Sequence, residues 1–77
     1  MQISKAELAR IKSEYPKGTR VRLVEMNDPW MGNLKPGELG TVRNVDANGT
    51  IHVNWDCGRG LGIVYGADKC EIVKKTV

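Results

Sequence analysis

Every one of the 9 glycines in this 77-residue sequence lies at position 18 or later, and with Pro29 and Pro36 they cut that stretch into pieces too short for helices. Between the cuts, apolar residues alternate with polar ones, the period of a half-buried strand. In residues 19–26, Val21 and Leu23 alternate with Arg20 and Arg22, which puts the arginines on the outer face. Residues 39–45 form a second run, and Asp46-Ala47-Asn48-Gly49 after it is a hairpin signal, because Asn and Gly tolerate positive φ. Ile51, Val53 and Trp55 alternate with His52 and Asn54 in the best strand of the chain. Residues 61–64 and 70–73 are a short fourth and fifth strand, separated by a tight turn at 66–68. Residues 27–38, with two Pro, two Gly and two Asn, have no period and read as a long loop. Short strands joined by Gly-rich turns at intervals of about 8 to 12 residues predict a mainly β fold, a small barrel of about five strands. Val21, Leu23, Val42, Ile51, Val53, Trp55 and Ile63 are its expected interior.

The first 17 residues follow another rule. Ser4 followed by Glu7 is a capping box: the Ser hydroxyl accepts from the third helical N–H, and the Glu reaches back to the cap residue. Leu8, Ile11 and Tyr15 recur at helical spacing and form one apolar face, with Tyr15 as anchor, and Pro16 and Gly18 end the helix. A helix this short is marginal alone, so its face is expected to pack on the body that follows. The organisation expected is one domain, a capping helix over residues 1–17 and a barrel with a short basic tail over 18–77.

A chain of this size has a thin core and little room for an enclosed catalytic cavity. Its single histidine, His52, is expected to be an exposed strand residue, and Cys57 near it lacks any evident oxyanion or substrate pocket. No paired acid and base stand at suggestive spacing, so the sequence is read as non-enzymatic, without metal or cofactor. Cys57 and Cys70 fit no zinc pattern and are expected to be reduced. No run approaches the ~20 apolar residues of a membrane span, and the first residues carry charge where a signal peptide is apolar, so a cytoplasmic location is expected.

The net charge of +3 invites a nucleic-acid reading, but its distribution does not favour a duplex binder. Residues 18–73 hold six Lys and Arg against seven Asp and Glu, so the positive excess belongs to the two ends.

The runs Gly-Thr-Arg-Val-Arg-Leu-Val-Glu-Met at 18–26, Pro36-Gly37 with Gly40-Thr41-Val42, Gly49-Thr50-Ile51-His52-Val53-Asn54-Trp55-Asp56, and Leu61-Gly62 resemble a family of small bacterial and phage proteins. That family is known only as a domain of unknown function. The likeness covers about residues 17–73 and implies an SH3-like fold; in shape it is also similar to the KOW modules of ribosomal and transcription proteins. The family's aromatic after Asp-Pro in the long loop is matched by Trp30, whereas Cys57 and Arg59 stand where the family has mostly small polar residues. The resemblance implies a home in phages and mobile elements, and no activity.

Six residues are candidates for a binding face built from the long loop and the 57–62 turn. Trp30, beside Met31 in the Pro/Gly loop, offers a flat face for stacking on a base, a proline or a protein; its other reading is a lid on the core. Arg59, within Gly58-Arg59-Gly60-Leu61-Gly62, has nothing local to pair it and could meet a phosphate beside backbone N–H groups, or simply sit exposed on a hairpin turn. Arg20 and Arg22, with Arg43, form either a basic stripe or solvated charges facing acidic neighbours. Tyr65 falls between rim and core. The leading expectation is a binding module for an anionic ligand, nucleic acid or a phosphate-bearing nucleotide, in a concrete version one that sequesters a nucleotide immune signal. The alternative is a protein–protein interaction module or self-associating adaptor, since open barrel edges can pair with another strand.

Overall fold

The alternation at 19–26 becomes β1, Arg20–Glu25, with Val21 and Leu23 buried and Arg22 exposed, in a computed structural model that describes residues 3–26 and 34–74. β2 spans Leu39–Val45, β3 Ile51–Trp55, β4 Gly62–Ile63 and β5 Lys69–Ile72. All neighbours are antiparallel in the order β4-β3-β2-β1-β5. The fold is mainly β, as expected, an open barrel-like sheet with one N-terminal helix. β4 is shorter than the sequence run because its flanks are used elsewhere. The Leu61 carbonyl accepts the Trp55 indole N–H at 2.9 Å, and the Val64 N–H donates to Asp68 Oδ2 at 3.0 Å.

The two edge strands are linked by that same turn. The Val64 carbonyl accepts from the N–H groups of Ala67 and Asp68, while the Asp68 carboxylate, buried, takes the Val64 N–H. Local bonds of this kind draw β4 and β5 toward each other without a shared ladder. The hairpin between β2 and β3 is held similarly: Asp46 Oδ1 accepts from the N–H groups of Asn48 and Thr50, and Gly49 turns the chain at φ +80.

All seven residues expected inside are buried, and Ile11 and Leu34 join them in one cluster. Leu34 comes from the end of the long loop, where no period marks it as core. The helix α1, Lys5–Glu14, begins where the capping box placed it, with Ser4 Oγ accepting the Glu7 N–H at 3.1 Å. The second half of the box is corrected by the structure. Glu7 turns its carboxylate to Arg10 Nε and Nη2, at 3.0 and 2.9 Å, and to the Tyr65 hydroxyl at 3.4 Å, because a guanidinium one turn on is the stronger partner. Ile11 is buried and Ile3 and Tyr15 pack beside it, so α1 lies on the sheet through one narrow stripe.

Candidate functional site

A stripe that narrow leaves space beside it. Between α1 and the inner side of the sheet is a pocket of about 340 Å³. Ile11, Val24, Ile51 and Ile63 supply its apolar surface, and Tyr15, Cys70 and Tyr65 stand around them. Its charged members are Arg10, Lys69 and Asp68. Val24 is 44% exposed although large and aliphatic. It continues the outward phase of Arg22, and the irregularity between Leu23 and Glu25 shows at Glu25, which is exposed where strict alternation would bury it, so two successive side chains face solvent.

The electrostatics of the pocket are self-compensated. Arg10 is gripped by Glu7 and, at 2.5 Å, by Glu14, and these contacts raise its affinity for the proton while holding the Glu7 carboxyl below its usual range. Burial pushes the Cys70 thiol up to about 11 and also raises the Tyr15 hydroxyl, so both are neutral near pH 7. A neutral thiol is a poor nucleophile, and Cys70 here behaves as apolar wall.

Four of the six expected candidates lie among the described residues. Tyr65 lines the pocket, half-buried, with its hydroxyl on Glu7. Arg20 does not form an open basic stripe: its Nη1 and Nη2 reach Asp56 Oδ1 and Oδ2 at 2.9 and 2.7 Å, and Nη1 also donates to Thr41 Oγ1. Arg22 donates to Glu71 at 2.8 Å. Carboxylates on neighbouring elements therefore take both guanidinium groups, the solvated-charge reading of the pair. Arg59 is half-buried and has partners within the fold, so the expectation that nothing pairs it is corrected. Its carbonyl accepts the Trp55 N–H at 2.8 Å, which ties the 56–60 turn to β3. Trp30 and Met31 lie outside the described residues.

The end of the long loop and the start of β2 lie close to Asp56. The Asp56 N–H donates to the Leu39 carbonyl at 2.8 Å, and an open depression lies among Lys35, Pro36, Gly37, Glu38, Leu39 and Asp56. Its charges are two carboxylates and one ammonium, no surplus for an anion. His52, expected to be exposed, is half-buried and places Nε2 2.8 Å from Asp46 Oδ2, a contact that lowers the Asp46 carboxyl. Cys57 is exposed and Cys70 half-buried, both as free thiols. Among the described residues no helix is long and apolar enough to cross a membrane.

Arg10, Val24, Lys69 and Cys70 were not singled out as site residues from sequence. They belong to three elements far apart in the chain, and only the fold brings them round one space. The break in alternation at Val24-Glu25 was the one available signal.

Over residues 4–73 the chain matches the family described as Domain of unknown function (DUF4314). No curated protein and no solved structure matches it.

Proposed function

We propose that this chain, which belongs to the DUF4314 family, a domain of unknown function, is a non-catalytic binding module that takes an apolar side chain of a protein partner into the pocket beneath α1. The observation that carries this reading is the pocket itself: aliphatic side chains from α1, β1, β3 and β4 around about 340 Å³, open to solvent at Val24. Ligand sites commonly have a volume of roughly 300 to 1,000 Å³, mostly apolar walls and a few polar groups at the rim. Tyr65, Arg10 and Lys69 are such groups, already oriented by Glu7, Glu14 and Glu25.

A second reading, an anionic ligand such as a nucleotide or single-stranded nucleic acid, draws support from Lys5, Lys12, Lys17 and Arg43. None of these makes an ion pair among the described residues. Sequestration of a nucleotide signal, with Trp30 stacking, would be its concrete form. It is the weaker reading because Arg20 and Arg22 are held by Asp56 and Glu71, and a phosphate would have to compete with those carboxylates.

Amide chemical shifts separate the two. Short peptides carrying a single Leu, Phe or Trp are expected to move the signals of Val24, Ile51, Tyr65 and Cys70, with little dependence on salt. ATP or oligothymidylate moving Arg20, Arg43 or Arg59 instead, with the response vanishing as salt rises, would establish the anionic reading and overturn the first.

A further inference from the structure

β5 is the last strand of the sheet, paired with β1 on one side and, among the described residues, with nothing on the other. The Val73 N–H donates to the Arg20 carbonyl at 2.9 Å, and the register sets Val21 opposite Ile72, Arg22 opposite Glu71 and Leu23 opposite Cys70. In an antiparallel ladder, hydrogen-bonded and non-hydrogen-bonded pairs alternate. Glu71 therefore points its backbone groups at β1, and Cys70 and Ile72 point theirs away. On the solvent face of the strand, Lys69 and Glu71 carry opposite charges with side chains 73% and 52% exposed. Ile72 shares the phase of the buried residues and is nevertheless 41% exposed, because among the described residues no strand lies beyond it.

We propose that this edge pairs antiparallel with β5 of a second copy of the chain about a two-fold axis at Cys70. Each Cys70 then exchanges its N–H and C=O with Cys70 of the second copy, and each Lys69 stands opposite the other copy's Glu71. Charge selects this register. An axis at Glu71 would set two glutamates face to face, and an axis at Ile72 would leave Glu71 opposite Val73. Like charges directly opposite destabilise a strand pair, whereas opposite charges support it. With the axis at Cys70, the contacts already present inside each chain extend the pattern. Arg22 bonds Glu71 at 2.8 Å, and Lys69 lies 4.0 Å from Glu25, so one row across four strands reads Arg22, Glu71, then Lys69 and Glu25 of the second copy. The signs alternate along the whole row, and the two-fold axis repeats it. Each exposed Ile72 is meanwhile carried toward the other copy's 64–68 turn, where Val64 is 47% exposed. This pairing does not depend on what fills the pocket beneath α1.

A charge exchange tests it. In sedimentation velocity under reducing conditions, the wild-type mass is expected to rise toward twice the monomer as concentration goes from micromolar to millimolar, and to fall back at high salt. Lys69→Glu and Glu71→Lys are each expected to remain monomeric, since each sets like charges opposite one another twice. An equimolar mixture of the two is expected to recover the dimer, because one chain then carries carboxylates at both positions 69 and 71 and the chain opposite carries ammonium groups at both. Amide spectra of the separate variants verify that both are folded. If either is not, the salt dependence of the wild type and the concentration-dependent shifts of its Cys70 and Ile72 amides decide. A wild type that stays monomeric overturns the proposal and leaves the edge to a strand from another protein. Single variants that associate as the wild type does, or a mixture that does not recover, overturn it equally.

Discussion

Gly40 shows how much a single position can owe to a residue fifteen places away. It lies opposite Trp55 in the β2–β3 ladder, and a Cβ built there would come within 2.5 Å of Val53 Cγ1, 2.8 Å of Trp55 Cε3 and 3.1 Å of the Asn54 carbonyl oxygen. Two of those atoms belong to the least exposed part of the core, and the third is backbone, so none can move aside at low cost. Gly40→Ala is therefore expected to destabilise the protein by about 1 to 3 kcal/mol, the range for overpacking a well-filled interior. Urea unfolding measures it, and a midpoint unchanged from wild type would mean that the Trp55 ring can tilt away. Alternation alone assigns Gly40 no role in β2, since strand glycines usually subtract packing. Its role depends on where the indole lies, and that is fixed by the indole N–H of Trp55 donating to the Leu61 carbonyl, a contact no periodicity contains.

At the scale of elements, α1 was legible at both ends, and what lies under it was not. Ser4 and Pro16 are local signals, read within a few residues, and the helix runs between them. The contacts that attach it to the body are long-range: Tyr65 to Glu7, Ile11 among the strand side chains, and Ile3, whose Cδ1 would be 2.6 Å from a Cβ placed on Gly49. The strands were read almost to the residue where alternation was strict, as in β3, and least well where a bulge or side-chain bond interrupted it, as in β4 and after Leu23. Because the cap bond is local and the attachment narrow, Ser4→Ala is expected to cost about 1 kcal/mol, felt chiefly by α1. Amide exchange should quicken in residues 5–14 while β3 keeps its protection. Unchanged exchange in the helix would mean that Glu7, through Arg10 and Tyr65, holds the first turn without the cap.

For the molecule as a whole the deciding fact is that the strands, α1 and the end of the long loop share one small cluster. Ile11, Leu34 and the seven strand side chains are all in it, and Val53 is 1% exposed near its centre, opposite Val42. The seven strand members were read correctly from alternation, since a residue out of phase with its neighbours would have had to bury charge, whereas Leu34, in a segment without a period, was not. What alternation does not reveal is the thinness of the layer: the molecule measures 36 × 31 × 16 Å, so a void at Val53 has little second layer to collapse onto it. Deleting its two methyl groups removes transfer energy and leaves a cavity, and Val53→Ala is expected to cost about 2 to 4 kcal/mol. Small domains have only about 5 to 15 kcal/mol of stability in total, so this is a large share of it. The loss should be shared, because no element has a core of its own. Thermal unfolding followed by helix circular dichroism and, in a Trp30→Phe background, by Trp55 fluorescence should give one coincident transition, lowered together in the variant. If the helix signal keeps its wild-type midpoint while the tryptophan signal falls, α1 is stabilised separately from the sheet. The pocket beneath it would then open without unfolding the barrel.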